Sequence, residues 1–253
     1  MRPRKAIITC AGKGSRMAHL TSYMPKALFP IFRRLDGKVA AEPVIESILA
    51  SMSDAGVSEF CFVIRNHKEL LESYLSTREI SFVAQPEPKG FGDAVLMGEQ
   101  FALGGPVFVH ADDGVLTGGY KEAASLYDQK DADIILLLRE VSNPQRYGIV
   151  TAVPEGEFMN HKLFRISEVE EKPQNPKSNL ALSAVYVFSP KIFSALHETK
   201  AIIGKEHELT YGISKVIHDG GVAYGILLEK EKWLNVGDPD SYHKALEYSY
   251  ENY

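Results

Sequence analysis

The residues best suited to chemistry in this chain lie in its first thirty positions, where an apolar stretch leads into a basic, glycine-rich segment. Lys5–Thr9 is predicted to be a short buried strand, and Cys10–Met17 (CAGKGSRM) follows it directly. Glycines allow the backbone to approach a phosphate closely and to direct N–H groups at it. Because Lys13, Arg16 and Lys26 supply compensating positive charge, the natural ligand of this segment is a polyphosphate.

Two familiar phosphate-binding signatures do not describe this loop. A Walker A loop places four residues between its glycines, whereas here Lys13 alone separates Gly12 from Gly14. A dinucleotide fingerprint needs a third glycine where this chain has Met17. Glycines that serve only the geometry of a strand-to-helix turn are the alternative, and the cations around the loop favour phosphate binding over it.

A pair of carboxylates, Asp112 and Asp113, follows the apolar stretch Val107–His110. In a mostly parallel sheet, ligands bind beyond the carboxyl ends of the strands, so this pair and the glycine-rich loop are expected at the same edge. Mg²⁺ prefers one or two carboxylates together with phosphate oxygens and water. Asp112 is therefore a candidate metal ligand, and an Asp-Asp-Gly turn without chemistry is the alternative.

A series of segments, in order and over nearly the whole chain, resembles the sugar-phosphate nucleotidyltransferases, also called nucleotide-sugar pyrophosphorylases. The family signature, Ala-Gly-x-Gly-x-Arg followed by Pro-Lys-x-Leu-x-Pro, is matched by residues 11–16 and 25–30. The further matches are Gln85–Gly90, Asp112–Asp113, Arg146–Gly148, Glu170–Pro173 and Trp233–Gly237. The chain is most similar to the members that use UTP or dTTP with glucose 1-phosphate.

The resemblance implies that a sugar 1-phosphate attacks the α-phosphate of a nucleoside triphosphate and releases pyrophosphate. Arg16 would then hold the β- and γ-phosphates, Lys26 would contact the α-phosphate, and Asp112 would bind Mg²⁺. The residues implied to bind the nucleotide are Ala11, Gly12, Lys13, Gly14, Gln85 and Gly90. Gln85 and Gly90 match positions at which the family reads a pyrimidine base, since an amide can pair with both a carbonyl and a ring N–H.

The resemblance also implies a set of residues for the sugar 1-phosphate, which are Gly148, Glu171, Lys172 and Glu206. A glutamate accepts hydrogen bonds from sugar hydroxyls, and a lysine would hold the attacking phosphate. This second set lies in the second half of the chain. We therefore expect residues 148–253 to supply the sugar side of the site.

Some positions depart from the family pattern. Asn235 stands where the family usually has an aspartate that shares the metal. Its amide carbonyl can still coordinate, so Asn235 remains the second metal candidate, but weaker metal binding is expected because it carries no charge. Tyr211 stands where relatives commonly have aspartate, and Ala111 and Ala184 replace family glycines.

Two other functions compete with a transferase that uses UTP or dTTP. One is a cytidylyltransferase that acts on a phospho-alcohol, for which a cage around a quaternary ammonium group would be expected and cannot be identified. The other is a non-catalytic regulatory protein that binds a nucleotide-sugar, and only Asn235 supports it. The retained Arg16, Lys26 and Asp112 favour the enzyme.

The elements that position these residues are predicted from periodicity. In the first half, apolar runs at 59–64, 80–84, 107–110 and 134–139 alternate with helical patterns at 43–55, 68–74, 91–103 and 119–128. In the second half, strands are expected at 149–153, 163–170 and 180–188, and helices at 210–218 and 241–248. The pattern predicts one α/β domain over 1–253, a Rossmann-like, mostly parallel mixed sheet with helices on both faces. Its nucleotide-binding half would be 1–147 and its sugar-phosphate half 148–253.

Composition narrows the remaining possibilities. A net charge of −5 argues against a nucleic-acid binder that relies on a general basic surface. Two cysteines are too few for a disulfide framework. The longest aliphatic run, Ile134–Leu138, is too short to cross a bilayer, and no signal-peptide pattern is recognised. A cytoplasmic protein without a membrane partner is expected, and the resemblance implies a homo-oligomer.

Overall fold

A computed structural model describes residues 1–17, 19–200 and 206–252 of the chain. Its strands are β1 (Lys5–Cys10), β2 (Pro30–Leu35), β3 (Lys38–Pro43), β4 (Glu59–Ile64), β5 (Ile80–Ala84), β6 (Val107–Ala111), β7 (Gly114–Leu116), β8 (Ile134–Glu140), β9 (Gly148–Phe158), β10 (His161–Glu171), β11 (Leu180–Phe188), β12 (Ala223–Leu227) and β13 (Trp233–Asn235). Its α-helices are α1 (Leu20–Tyr23), α2 (Val44–Asp54), α3 (Lys68–Tyr74), α4 (Phe91–Met97), α5 (Glu99–Ala102), α6 (Tyr120–Gln129), α7 (Lys191–Lys200), α8 (Leu209–His218) and α9 (Pro239–Asn252). Short 3₁₀ helices lie at Ser15–Met17, Lys26–Leu28 and Pro144–Arg146. Within these ranges, no helix is long and apolar enough to cross a membrane.

The main sheet has nine strands in the order β5-β4-β1-β6-β11-β8-β12-β10-β9. The neighbours β5, β4, β1 and β6 are parallel, and so are β8 and β12. Two strands, β10 and β11, run antiparallel to the strands beside them. The expected Rossmann-like α/β fold with a mixed, mostly parallel sheet is confirmed.

Alternate residues of the central strands enter two separate hydrophobic cores. In β1, Ala6 and Ile8 belong to one core and Ile7 to the other. Helices α2 and α6 pack into the first core, and helices α4, α7 and α8 pack into the second. Since side chains on a strand alternate between the two faces of a sheet, both faces are covered by helices, as the strand–helix alternation predicts.

Helix α2 shows how local sequence determines one of these layers. Its residues Val44, Ile48 and Met52 recur at a spacing of four and are fully buried, so they form the predicted apolar face. The helix ends just before Gly56, which has a φ of +101°. A glycine in this conformation is a common helix stop because it has no Cβ to strain.

The predicted helix over 91–103 is divided into α4 and α5 at Gly98. A Cβ added to Gly98 would lie 2.6 Å from Cδ1 of Ile7, so this glycine lets the helical segment approach β1 closely. Sequence reasoning did not find the β2–β3 hairpin, helix α7, strand β12 or the short pairing of β7 with β13. That last pairing brings Trp233–Asn235 against Gly114–Leu116.

Strand β11 contains an unusual backbone conformation at Ala184. Its φ is +53°, in the left-handed region that disfavours a side chain with a Cβ. The register of β11 against β8 shifts between Leu182 and Tyr186, around this residue. Ala184 is thus an alanine in a conformation that suits glycine, at a position where the family usually has glycine.

We expect Ala184→Gly to raise the free energy of unfolding by about 0.5–1 kcal/mol, because relief of left-handed strain exceeds the added chain entropy of glycine. Urea denaturation measures this change. The control is Ala181→Gly in the same strand, where φ is not positive and the variant should lose about 1 kcal/mol. Equal losses in both variants would contradict a strained Ala184.

Candidate active site

A cleft of about 490 Å³ lies at the edge of the sheet where β1 and β6 end. The loops after these two strands form one side of it, and residues of β9, β10, β11 and α8 contribute to the other. All but one of the site residues predicted from the sequence line this cleft; the lining residues are Ala11, Gly12, Lys13, Gly14, Arg16, Lys26, Gln85, Gly90, Asp112, Gly148, Glu171, Lys172 and Glu206. Asn235 is the exception.

The glycine-rich loop after β1 has a conformation that needs its second glycine. Gly14 has a φ of +65°, and a Cβ there would lie 2.7 Å from Cγ2 of Thr21. The Gly14 carbonyl accepts hydrogen bonds from Met17 N–H and from Thr21 Oγ1, both at 3.0 Å. Apart from its two chain neighbours, no described residue has a heavy atom within 4 Å of the Cβ position on Gly12. The backbone at Gly12 therefore faces open space in which a phosphate would fit.

Two cations of the loop region are held by one carboxylate. Asp113 Oδ2 lies 3.4 Å from Lys26 Nζ and 3.9 Å from Arg16 Nη2. Arg16 also approaches Asp238 Oδ2, at 4.0 Å from Nη1. The Lys26 side chain is only 12% exposed, whereas that of Arg16 is 57% exposed. The sequence predicted both cations for the phosphates but did not reveal that Asp113 holds them.

Asp112 is the buried member of the carboxylate pair. Its N–H donates to the Thr9 carbonyl at 3.2 Å, which fixes the end of β6 against β1. Burial raises the pKa of the Asp112 carboxyl to about 7; the Lys26 charge opposes this shift and the Asp113 charge adds to it. A nearby cation would restore the carboxylate form, so Asp112 is suited to a metal ion.

The Cys10 thiol lies beside this carboxyl and hydrogen bonds with it. Burial and then the Asp112 charge raise the pKa of the Cys10 thiol well above its usual value. A protonated, buried thiol is a poor nucleophile. Cys10 therefore acts as a small packed residue at the strand end.

Asn235 lies beside Asp113 rather than on the wall of the cleft. Its Oδ1 accepts the N–H of Gly237 at 2.7 Å, and its Nδ2 donates to Asp238 at 3.3 Å. A Cβ on Gly237 would lie 2.9 Å from both Asn235 Oδ1 and Asp113 Oδ2, so the amide and this carboxylate are neighbours. Its role as a metal ligand stays a prediction.

The described residues contain no group of three or more His, Cys, Asp and Glu side chains arranged to hold a metal. A metal ion beside Asp112 would therefore take most of its ligands from phosphate oxygens and water. That ligand set is the one Mg²⁺ prefers. The residues present are compatible with such an ion when a nucleotide is bound.

A second region of the cleft is formed by Gln85 and Gly90. Gln85 is 2% exposed, and its amide nitrogen lies 3.4 Å from the Gly90 carbonyl. Gly90 has a φ of +110°, and a Cβ there would lie 2.5 Å from the carbonyl oxygen of His207. His207 N–H donates to Lys89 at 2.6 Å, and its carbonyl accepts from Gly92 at 2.8 Å. Only glycine fits at position 90, because the backbone of His207 lies directly on it.

A third region of the cleft contains several carboxylates around one lysine. Lys172 Nζ lies 2.9 Å from Glu171 Oε1 and 3.8 Å from Glu208 Oε1. Burial and then the Glu171 charge raise the pKa of Glu208. Thr210 donates to Glu171 at 3.2 Å, and a Cβ on Gly148 would lie 3.3 Å from Glu171 Oε2. Carboxylates and a hydroxyl close to one cation suit a ligand with several hydroxyls and one phosphate.

Glu206 and Lys13 face each other across the cleft at 3.8 Å, and both side chains are about 60% exposed. Tyr186, Glu208 and Thr210 are among the further lining residues that the sequence did not single out. Tyr186 resembles an ordinary core residue in its apolar strand, where burial raises its pKa far above the usual value. Glu208 precedes a predicted helix, and only the fold brings it to Lys172.

Comparisons with known proteins agree with this geometry. A family model described as nucleotidyl transferase matches residues 5–252. The UTP–glucose-1-phosphate uridylyltransferase of Mycoplasma pneumoniae is 29% identical, over 86% of this chain and 82% of its own length. The bifunctional protein GlmU of Methanocaldococcus jannaschii is 32% identical over 92% of this chain, which spans about half of that protein, 51%. A crystal structure of UDP-glucose pyrophosphorylase complexed with UDP-glucose superposes with a TM-score of 0.83, at 25% identity over 99% of this chain and 100% of that one.

The chain therefore belongs to the nucleotidyl transferase family. Its relatives and structural neighbours show that it is a sugar nucleotidyltransferase, an enzyme that joins a nucleotide to a sugar 1-phosphate. The resemblance recognised in the sequence is confirmed. The individual roles of the cleft residues remain proposals.

The raised pKa of Asp112 leads to a prediction of pH-dependent stability. Its carboxyl ionises at about 7 when folded, against 3.8 ordinarily, so its contribution to stability is present below about pH 4 and is lost as the pH rises through 7. Asp112→Asn removes this loss. In EDTA, without nucleotide, the variant should gain about 2–4 kcal/mol relative to the native chain between pH 4 and pH 8.

Urea denaturation across this pH range measures the effect. Asp113→Asn is the control, since it changes a charge on the same loop but removes the partner of Lys26. That variant should be less stable than the native chain. A pH-independent difference for Asp112→Asn would show that the Asp112 carboxyl ionises normally in the fold.

Proposed function

We propose that this enzyme transfers a uridylyl or thymidylyl group from UTP or dTTP to a sugar 1-phosphate, with glucose 1-phosphate as the first candidate. The observation that carries the proposal is the division of one cleft into three parts. Its wall carries two cations with the buried carboxylate Asp112, the Gln85 amide beside Gly90, and the ion pair Glu171–Lys172. These three groups suit the phosphates, the base and the sugar phosphate, respectively.

In the proposed reaction, a phosphate oxygen of the sugar 1-phosphate attacks the α-phosphorus. The new P–O bond forms as the bond to pyrophosphate breaks, with the two oxygens in line. Lys172 would orient the attacking phosphate, while Glu171 would accept hydrogen bonds from the sugar hydroxyls. Lys26 would neutralise charge on the α-phosphate, and Arg16 would hold the leaving pyrophosphate. Catalysis of this kind depends on positioning and charge, and needs no protein nucleophile.

Asp112 would hold Mg²⁺ at the α-phosphate. When bound, such an ion neutralises developing negative charge and aligns the phosphate oxygens. Asn235 would contribute at most one uncharged oxygen to the ion. The 1–147 half would hold the nucleotide and the 148–253 half the sugar phosphate, in a cytoplasmic homo-oligomer.

The deciding experiment is a pyrophosphate-release assay with Mg²⁺ that crosses UTP, dTTP, CTP, ATP and GTP with a panel of sugar 1-phosphates. Release with UTP or dTTP and a single sugar supports the proposal and identifies the substrates. Preference for CTP with a phospho-alcohol would replace it by the cytidylyltransferase alternative. Nucleotide-sugar binding without any release would indicate a regulatory protein.

Lys26→Met should lower kcat/KM for the best pair by about 10²–10³-fold, because one charge contact to the reacting phosphate is lost. Steady-state kinetics with the pair found above measures this. Lys13→Met is the matched control, since Lys13 lies on the same side of the cleft but is 60% exposed. We expect a smaller loss there, and equal losses would place the two lysines in equivalent roles.

Asn235→Asp should lower the Mg²⁺ concentration needed for half-maximal rate, because a carboxylate binds the ion more tightly than an amide. Binding of Mn²⁺ in the presence of nucleotide, followed by electron paramagnetic resonance, gives an independent readout. Asn235→Ala serves as the control for loss of the bond to Gly237. An unchanged metal affinity in Asn235→Asp would show that residue 235 does not coordinate the metal.

A further inference from the structure

A chain of polar contacts lies behind the Gln85 side of the cleft, with a buried carboxylate at its centre and a partly exposed lysine at its end. Asp93, in the first turn of α4, is 3% exposed. One of its carboxylate oxygens, Oδ1, accepts from Lys200 Nζ at 2.5 Å, and the other, Oδ2, accepts from Gln85 Nε2 at 2.8 Å. Lys200 is the last residue of α7. Asp93 and Lys200 are absent from the cleft wall, and the catalytic scheme makes no use of them.

Asp93 is ionised in this arrangement. Burial alone would raise the pKa of its carboxyl, but hydrogen bonds from Lys200 and Gln85 outweigh burial and hold that pKa below its usual range. An ionised carboxylate only accepts hydrogen bonds. The Gln85 amide must therefore turn its NH₂ group toward Asp93, and the Gly90 carbonyl, which also only accepts, favours the same orientation. The carbonyl oxygen of Gln85 is then the amide atom left for a ligand.

We propose that Asp93, held by Lys200, fixes the Gln85 amide with its carbonyl oxygen toward the ligand and so selects bases that carry a ring N–H. The inference rests on the proposed function, and it names Asp93 and Lys200 as positioning residues for base selection. Uracil and thymine present N–H at ring position 3. Cytosine presents a lone pair there, which would face the lone pairs of the Gln85 oxygen.

Selection of this kind is strong because a mismatched base leaves two acceptors opposed in a buried place. Sites built to pair with a substrate N–H reject analogues that lack it by up to about 10⁴-fold. A freely turning amide would lose this selection, since rotation by half a turn exchanges its donor and acceptor. A fixed amide therefore makes Gln85 selective for a base with a ring N–H, whereas a freely turning amide would accept bases with or without that N–H.

Asp93→Asn tests the proposal sharply. Lys200 only donates, so it should keep the side-chain oxygen of the new residue at the Oδ1 position and place the new NH₂ at the Oδ2 position. That NH₂ is expected to donate to Gln85, because the contact at position 93 is shorter (2.8 Å) than the contact of Gln85 with the Gly90 carbonyl (3.4 Å). The Gln85 amide would then turn over and present its own NH₂ to the base. We expect the ratio of kcat/KM for UTP to that for CTP to fall at least about 10-fold, with a rise in the value for CTP itself.

Three variants accompany this measurement. Glu99→Gln is the matched control, because it weakens a different contact of α7, the 2.7 Å contact between Glu99 and His197. This contact does not involve Gln85. The base preference of Glu99→Gln should equal that of the native enzyme. The double variant Lys200→Met/Asp93→Asn should lose the preference for UTP without gaining one for CTP, because the amide introduced at position 93 can then turn. Gln85→Leu should also lose preference, and it tests base reading should Asp93→Asn not fold.

Titration calorimetry with UTP and CTP supplies the same comparison independently of turnover. A native enzyme that releases no pyrophosphate with UTP or dTTP contradicts the proposed function, while calorimetry still tests the inference. If the native enzyme is active with UTP and the Asp93→Asn variant keeps the ratio of kcat/KM for UTP to that for CTP within about twofold, the inference is contradicted and the proposed function is not. An equal loss for both nucleotides would assign Asp93 a merely structural role, and an intact preference in Gln85→Leu would remove Gln85 from base reading.

Discussion

The architecture of the cleft depends on the attraction between Asp113 and the two cations beside it. A polyphosphate site needs positive charges close together, and such charges repel one another before the ligand arrives. Asp113 offsets this repulsion because Oδ2 lies 3.4 Å from Lys26 and 3.9 Å from Arg16. Its carbonyl in turn accepts the N–H of Val236 at 2.8 Å, and Asp238 reaches Arg16. The charge balance of the proposed phosphate site therefore depends partly on Val236 and Asp238, which follow β13.

Much of the fold follows from local patterns in the sequence. The bounds of β4, β5, α3 and β11 agree with those predicted, because each element is a compact apolar run or a clear helical period. The site was largely predictable for a different reason. Parallel strands that end at one edge bring their following loops together, so Ala11–Arg16 and Asp112 had to meet. The family motifs supplied the other lining residues that were predicted.

What could not be predicted depends on contacts between distant residues. The division of the helix at Gly98 exists because Ile7 occupies the place of a Cβ, which no helical pattern reveals. The pairing of β7 with β13 joins two three-residue strands more than a hundred positions apart. In the sequence, Asp113 is only the neighbour of Asp112, and its contact with Lys26 becomes evident only in the fold. The hydrogen bond from the Gly237 N–H to the Asn235 amide oxygen is likewise a contact that no sequence pattern reveals.

The segment after the undescribed residues 201–205 connects the two recognition regions of the cleft. His207 bonds to the backbone of Lys89 and Gly92 and lies against Gly90, so it shapes the place proposed for the base. The next residue, Glu208, lies 3.8 Å from Lys172, in the place proposed for the sugar phosphate. Two consecutive residues, His207 and Glu208, therefore contribute to both the place proposed for the base and the place proposed for the sugar phosphate.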